Sequence, residues 1–271
     1  MSKYKTAELL KELDERIDKV QSSDEFKEVL EFFSKFHNYS YHNSILIMMQ
    51  KPEATLVAGY RQWQKKFNRH VKKGEKGITI LAPFTYKKKK GDIDSDEEKE
   101  VTKTYFRPVY VFDVSQTEGK VLSQIDLSLE NSNSALFEPL KSYALSKGIK
   151  VKFKSLRKGL DGYSEGGKIV VNRKANDTEK ASILVHETAH ELLHFRDIKD
   201  VKLTKEILEM EAEAVAFVVM NYFGVEIKSD KYLALYKKSY NLMESLKRIS
   251  DRSSAMIDYV LKSKSEFQKT S

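Results

Sequence analysis

The chain has 271 residues, enough for one large or two small domains, and 40% of them are hydrophobic, which is sufficient for an ordinary core. It contains no cysteine, which excludes disulfides and thiolate metal sites, and it shows no signal segment or long apolar run. The formal net charge is +8, which excludes an acidic protein, and we expect a cytoplasmic protein that does not bind membranes.

Apolar spacing predicts three helices in the first fifty residues, at 5–20, 24–36 and 41–50. Pro52 ends the third helix, and a short aromatic and basic helix is predicted at 59–67.

Alternating apolar residues then predict a pair of strands, and a polar segment predicts a linker. The strands are expected at 78–88 and 101–114, joined by an exposed charged loop at 89–100. The polar stretch 115–134 is the best candidate for a linker between two domains.

A second group of elements follows this linker. Asn176 and Glu179 have the spacing of a capping box at the start of a helix that runs to residue 195. The other predicted elements are a helix at 136–146, strands at 150–154 and 168–172, and helices at 204–223, 232–246 and 254–261.

The most informative motif is H-E-x-x-H, formed by His186, Glu187 and His190 on this capped helix. Residues four apart lie one helical turn above each other, so both imidazoles can bind one zinc ion. Glu187 then lies close enough to polarise water at the metal and is the predicted catalytic base. A chance match to the short pattern is the alternative, and a suitable acidic helix downstream makes it rarer.

The acidic helix at 204–223 can supply the third protein ligand that a catalytic zinc requires. Glutamates among apolar residues are costly to bury without a partner. Glu209 and Glu213 lie one turn apart, so we predict Glu209 as the ligand and Glu213 as the acceptor of a ligand imidazole N–H. Glu206 and Glu211 are interpreted as part of the solvated face of this helix.

His194 continues the stripe of His186 and His190 along the helix. Helical rise puts it about 12 Å along the axis from His186, which is too far for both to bind one zinc ion. We therefore interpret His194 as a packed or surface histidine.

The basic charge is concentrated near the single tryptophan. Between residues 60 and 90, eleven Lys and Arg accompany one acid, which favours a surface for polyanions over a solvated lysine-rich surface. Single-stranded-DNA binders combine such cations with stacking aromatics, and Gly74 and Gly77 can shape a turn that lets lysines reach phosphates. The predicted DNA-binding residues are Tyr60, Arg61, Trp63, Lys65, Arg69, Lys72, Lys73 and Lys76. For Trp63, burial in the core stays an equal alternative.

Several short motifs between residues 39 and 119 are specific in combination. They are Asn43-Ser-Ile-Leu-Ile, Gly59-Tyr-Arg-Gln-Trp, Val71-Lys-Lys-Gly-Glu-Lys-Gly-Ile, Ile80-Leu-Ala-Pro and Val111-Phe-Asp. Together they resemble the ArdC-type antirestriction proteins of plasmids and other mobile elements. The resemblance implies that this region is a single-stranded-DNA-binding domain.

The C-terminal half resembles the zinc metallopeptidase-like domain of the same family and, more distantly, the ImmA/IrrE peptidases. In those peptidases E-x-x-A follows H-E-x-x-H, and the segment from Glu209 to Ala212 fits this pattern. The match favours Glu209 over Glu211 as the ligand, and Glu213 occupies the place of an acidic residue behind the site. The resemblance implies a role in mobile-element biology without establishing proteolysis.

We therefore predict an α+β protein of two domains, a single-stranded-DNA-binding module at 1–125 and a gluzincin-like metallopeptidase domain at 126–271. The expected cofactor is Zn²⁺, and the expected partners are single-stranded DNA and a protein substrate. Two alternatives stay open. The chain either masks single-stranded DNA and uses zinc only to hold its fold, or it is an ImmA-like peptidase that cleaves a regulator.

Overall fold

The computed structural model describes residues 8, 11, 15, 23–90, 99–122, 134–196, 203–227 and 242–270. The chain divides into two compact units: unit 1 comprises Met1–Arg16 and Ile45–Leu122, and unit 2 comprises Ile17–Ser44 and Ser123–Ser271. Residues 17–44 therefore pack with the C-terminal part, a division that differs from the predicted domains 1–125 and 126–271. The functional boundary at residue 125 stays a prediction.

A three-stranded antiparallel sheet forms the centre of unit 1. Its order is β1 (Val57–Gly59), β4 (Lys99–Asp113) and β3 (Ile78–Lys90). The long pairing of β3 with β4 confirms the predicted strand pair. The predicted loop between them falls mostly on residues 91–98, which lie outside the described residues.

A smaller sheet of unit 1 pairs β2 (Arg69–Val71) with β5 (Thr117–Gly119), and a short 3-10 helix, Val114–Gln116, precedes β5. Strand β5 and the last two residues of the 3-10 helix lie inside the predicted linker 115–134, so its first residues are structured. The prediction missed them because three-residue elements have no periodicity to detect. Residues 123–133 of this segment lie outside the described residues.

Helix α3 (Tyr60–Phe67) packs on the larger sheet through Trp63. Trp63 is 0% exposed, and its indole Nε1–H donates to the backbone oxygen of Phe112 at 2.9 Å. Asn68 ends the helix in the left-handed region, with φ of 52°. The predicted short helix is confirmed, and its apolar face is part of the core of unit 1.

The sheet of unit 2 has the order β6 (Lys150–Lys154), β8 (Lys168–Asn172) and β7 (Gly162–Ser164). Strands β6 and β8 are parallel, whereas β7 runs antiparallel to β8 at the edge. Helix α5 (Asp177–His190) packs against β7 and β8. The edge strand β7 was not among the predicted strands, because a strand of three residues has too short an alternation to detect.

Helices make up the rest of the described part of unit 2. In chain order they are α1 (Ser23–Lys35), α2 (Tyr41–Gln50), whose first four residues belong to unit 2, α4 (Ser134–Ser146), α6 (Lys205–Tyr222) and α7 (Leu242–Thr270). The predictions at 24–36, 136–146 and 204–223 are confirmed. The predicted helix at 5–20 lies almost entirely outside the described residues.

Two helical predictions need correction. The C-terminal helices predicted at 232–246 and 254–261 form one helix from Leu242 onward, because no proline or glycine interrupts that stretch. Residues 232–241 of the first prediction lie outside the described residues. The helix predicted to reach residue 195 ends as an α-helix at His190 and continues as a π-helix, Glu191–Arg196.

Local capping explains where α5 begins. The side chain of Asn176 accepts from the backbone N–H of Glu179 at 2.9 Å, and the Glu179 carboxylate accepts from the backbone N–H of Asn176 at 2.9 Å. This reciprocal pair is the predicted capping box. The helix therefore starts at a fixed residue, which sets the direction of the histidines further along it.

No helix in the described stretches of the chain is both long enough and apolar enough to cross a membrane.

Candidate metal centre

Two helices of unit 2 bring the predicted metal ligands together. His186 and His190 lie one turn apart on α5, and their Nε2 atoms are 3.0 Å from each other. Glu209 comes from α6, and its Oε2 lies 3.6 Å from each of these two nitrogens. One donor atom from each residue lies within 4.8 Å of the others, a spacing that could hold a metal ion.

The spacing of these donors matches what a tetrahedral ion requires. Ligand distances of about 2.0–2.2 Å in a tetrahedron place neighbouring donors about 3.4 Å apart. The observed separations of 3.0 Å and 3.6 Å bracket that value. Three protein ligands leave a fourth position open, as in catalytic sites. The residues therefore fit a zinc-like ion without rearrangement of either helix.

Glu213 lies behind His186, on the side away from His190 and Glu209. The Nδ1 atom of His186 is 3.1 Å from Oε2 of Glu213. Burial lowers the pKa of His186, but hydrogen bonds with Glu209 and Glu213 outweigh it and raise the pKa to about 9. This imidazole is held by carboxylates at both nitrogens, so it is oriented before any ligand binds.

Glu209 has the electrostatics of an ionised ligand. Hydrogen bonds with His186 and His190 lower the pKa of the Glu209 carboxyl far below its ordinary range, against a smaller opposing effect of burial. A carboxylate that stays charged at neutral pH is the form that coordinates cations.

Glu187, the predicted catalytic base, is buried and faces the edge strand β7. Burial is the largest cause that raises the pKa of its carboxyl, and the charges of the neighbouring histidines partly offset it. The side chain of Ser164 forms a hydrogen bond with Glu187. A carboxyl with a raised pKa can hold a proton more readily than a solvated one, as a general base requires.

Close packing of β7 against α5 depends on Gly162. A Cβ atom at this position would lie 2.4 Å from Cγ2 of Ile183 and 3.4 Å from Cγ of Glu187. Any larger residue would therefore push the edge strand away from the base.

A cleft of about 700 Å³ opens over these residues. Its lining combines the candidate ligands and base with the edge strand and with Phe195 and Leu208. Tyr163 of the edge strand β7 also lines it. The cleft has the size of a site for a small ligand or a few residues of a peptide.

Glu211 differs from its predicted role, whereas the side chain of His194 is packed, which is one of its two predicted alternatives. Glu211 was interpreted as solvated, yet it is 0% exposed, and its Oε2 lies 3.3 Å from Nε2 of His194. The Nδ1 atom of His194 is in turn 3.0 Å from Nδ1 of His190. The sequence contained a signal for this arrangement, since Glu211 is surrounded by apolar residues on α6, but the helical wheel alone did not show its partner.

Several predicted DNA-binding residues are used within unit 1. Trp63 is buried, so the core alternative holds for it and it cannot stack on a base in this structure. The Arg69 guanidinium donates to Thr117 and to the backbone oxygen of Lys120 at 2.6 Å. Lys72 Nζ donates to the backbone oxygen of Ser115 at 2.9 Å. Arg69 and Lys72 therefore hold the β2–β5 region together.

The other predicted DNA-binding residues are exposed, and they are Tyr60, Arg61, Lys65, Lys73 and Lys76. Tyr60 is 50% exposed and makes an edge contact with Phe112, with ring centroids 6.3 Å apart. Sequence reasoning missed the neighbouring Tyr110, which is 44% exposed on β4. Alternation along β4 places Tyr110 and Phe112 on the same face, a signal that the sequence contained.

An open cleft of about 710 Å³ joins these aromatic residues to Gly77 and Arg107. A second cleft of about 710 Å³ includes Gly77, Lys73 and Lys76. The two clefts meet at Gly77, and the second is also lined by Glu53 and Glu75.

The N-terminal part matches a known family. Residues 2–112 match the family model described as the N-terminal domain of anti-restriction factor ArdC. This region is similar to the ArdC N-terminal domain. The predicted resemblance is confirmed for this region, which includes the residues 17–44 that pack with unit 2.

Whole-chain comparisons give more distant similarities. An uncharacterized protein of Bacillus anthracis is 26% identical over 98% of this chain, and the chain spans about half, 54%, of that relative's length. Crystal structures of the antirestriction protein ArdC from the R388 plasmid are 18% identical and match 82% of this chain and 83% of theirs. The TM-scores are 0.47 for the metal-free structure and 0.40 for the Mn(II)-bound structure.

Proposed function

We propose that unit 2 is a metal-dependent hydrolase that acts on peptide bonds. The observation that carries this proposal is the triangle of donors from His186, His190 and Glu209 with the buried Glu187 beside it in an open cleft. A bound Zn²⁺ would act as a Lewis acid and lower the pKa of water to about 7.

Zn²⁺ is the metal that the donor set favours. Two imidazoles and one carboxylate in tetrahedral spacing suit zinc, whereas Mg²⁺, Ca²⁺ and Mn²⁺ prefer oxygen-rich sites with more ligands. Metal analysis of the purified protein distinguishes Zn²⁺ from the other ions that imidazole can coordinate.

Residues beside the metal ligands have separate roles in the proposed hydrolysis. Glu187 takes a proton from the attacking water and passes it to the leaving amine. Ser164 orients the Glu187 carboxylate from the edge strand through its hydrogen bond. Among the described residues β7 is an edge strand, and its outer edge offers backbone groups on which an extended substrate can lie.

Metal analysis with a cleavage assay tests this function. Wild type purified with Zn²⁺ is expected to hold about one ion per chain and to cleave a library of unstructured peptides. Glu187→Gln is expected to keep the metal and lose cleavage. An exposed control, Glu226→Gln, should keep both. Metal binding without cleavage of any peptide or co-expressed regulator would favour a structural ion and contradict hydrolysis.

Unit 1 carries a second candidate function, binding of single-stranded DNA. The specific observation is the surface on which Tyr60 and Tyr110 adjoin Lys73, Lys76 and Arg107 through two clefts. Stacking of a base on an aromatic side chain contributes about 1–3 kcal/mol and tolerates any sequence. The family match of residues 2–112 to the ArdC N-terminal domain supports the same assignment.

The salt dependence of binding tests this surface. Binding to an oligonucleotide of mixed sequence should weaken with salt, by about 0.7 log–log units per phosphate neutralised. Replacing Lys73 and Lys76 with Ala should flatten that slope. The matched control removes the same charge from unit 2 at exposed positions, Lys158→Ala with Lys174→Ala, and should leave the slope unchanged.

Tyr110→Ala tests the contribution of base stacking to DNA binding separately from the contribution of the lysine charges. This variant should weaken binding about 5-fold or more, the lower limit set by about 1 kcal/mol of stacking, with little change in the salt slope. A folded chain in which Tyr110→Ala and the lysine pair both bind like wild type would remove this surface from the DNA site.

A further inference from the structure

The imidazole of His190 begins a buried chain of hydrogen bonds that leads away from the candidate metal. Its Nδ1 atom lies 3.0 Å from Nδ1 of His194, and the Nε2 atom of His194 lies 3.3 Å from Oε2 of Glu211. The His194 side chain is 5% exposed and that of Glu211 is 0% exposed. Solvent therefore does not compete for these bonds.

Helix α7 completes the chain at the carboxylate of Glu211. Ser245 Oγ donates to Oε1 at 2.5 Å, and Nε of Arg248 lies 3.2 Å from each carboxylate oxygen. The Nη2 group of Arg248 also donates to Oε1. A buried carboxylate that faces a guanidinium and a hydroxyl stays ionised and only accepts hydrogen bonds.

The partners assign the protons along the chain. Ionised Glu211 accepts, so His194 must carry its proton on Nε2 and leave Nδ1 bare. The bare Nδ1 of His194 accepts in turn, so His190 carries its proton on Nδ1. The lone pair of His190 is then on Nε2, the atom that faces Glu209 and His186.

We propose that His194 and Glu211 are positioning residues that fix the tautomer and ring orientation of His190 for metal binding. The proposal rests on the metal site proposed above and adds α7 to it, because Ser245 and Arg248 hold Glu211 in place. The Nδ1 atom of His186 is oriented by Glu213. The Nδ1 atom of His190 is oriented instead by His194, which lies in the π-helical turn Glu191–Arg196. Turns of this type often mark functional positions in helices.

Competition with a chelating dye for Zn²⁺ tests the proposal. His194→Phe keeps a ring of similar size and removes both nitrogens, so we expect the affinity to fall by about 10–100-fold. His194→Asn retains an acceptor near the position of Nδ1 and should lose less affinity than His194→Phe. Glu211→Gln is expected to lose Zn²⁺ affinity by a similar factor to His194→Phe. Glu226→Gln, at an exposed position, is the control and should keep the wild-type affinity. Thermal melting of each metal-free variant separates loss of metal from loss of fold.

Nitrogen-detected NMR of the histidine rings in the zinc-loaded wild type reads the tautomers directly, even if a variant does not fold. A proton on Nδ1 of His190 and on Nε2 of His194 is expected. The opposite assignment, or wild-type affinity in folded His194→Phe and Glu211→Gln, would overturn the positioning role while leaving the metal site intact. Failure of the wild type to bind Zn²⁺ would instead overturn the metal site itself, and this role with it.

Discussion

Nδ1 of His186 lies 3.1 Å from Oε2 of Glu213, and this contact connects α5 to α6 directly behind the candidate metal centre. A carboxylate in this place orients the ring and increases the basicity of the nitrogen that faces the metal. The Glu213 side chain is buried and lines the cleft beside the candidate ligands.

Glu213→Ala is therefore expected to weaken Zn²⁺ binding by about 10–100-fold. Glu213→Gln keeps an oxygen that accepts the Nδ1–H and should lose less affinity. Chelator competition measures both variants. Equal affinities for Glu213→Ala and wild type would show that Glu213 does not support the ligand.

Glu209→Gln should lose more metal affinity than any variant behind the site. Its carboxylate is held in the ionised form by His186 and His190, and an amide oxygen is a much weaker ligand for zinc. Metal content after dialysis is the measurement. Retention of a full equivalent of Zn²⁺ by a folded Glu209→Gln protein would mean that another residue supplies the third ligand.

Trp63→Ala is expected to act through stability. The side chain is fully buried and donates one hydrogen bond to Phe112, so truncation should cost about 3–5 kcal/mol and lower the melting temperature. DNA binding, measured well below the melting temperature, should persist, because Tyr60 and Tyr110 provide the exposed aromatic surface. Lost binding in a folded variant with an unchanged melting temperature would contradict the core role.

The sequence predicted those parts of the molecule whose signals are local. The capping box at Asn176, the one-turn spacing of His186 and His190, and the apolar alternation of β3 and β4 each depend on neighbours within a few residues. The predicted ligand Glu209 and its neighbour Glu213, predicted to accept an imidazole N–H, could be placed because both lie on one long helix.

The parts that were missed depend on contacts between distant residues. Glu211 resembled a solvated glutamate because its partner Arg248 lies 37 positions away. Arg69 and Lys72 resembled DNA contacts because the elements that accept their hydrogen bonds, β5 and the 3-10 helix Val114–Gln116, are each only three residues long. A tertiary partner for a charged side chain leaves no periodic signal in the sequence.

The last prediction concerns the stability of unit 1 in acid. Asp113 is buried at the end of β4 and accepts backbone N–H bonds from Thr55, Leu56 and Ser115, at 2.9, 3.2 and 2.9 Å. Burial raises the pKa of this carboxyl, but the hydrogen bonds, beginning with those from Ser115, outweigh it, so the pKa lies below its ordinary value of 3.8.

A carboxyl whose pKa is lower in the folded protein than in the unfolded chain stabilises the fold above its ordinary pKa, and this contribution is lost as the pH falls through the lowered value. Asp113→Asn should therefore reduce the free energy of unfolding at pH 7 by about 1–3 kcal/mol. The amide keeps only one acceptor oxygen, and its NH2 group, a donor, takes the place of the other oxygen, which accepts a backbone N–H bond in the wild type. The difference from wild type should shrink as the pH falls below about 4, where the unfolded carboxyl takes up its proton. Urea unfolding at several pH values, followed by tryptophan fluorescence from the single Trp63, measures it. A difference that stays constant down to pH 2 would show that the charge of Asp113 contributes nothing and that only the shape of its side chain matters.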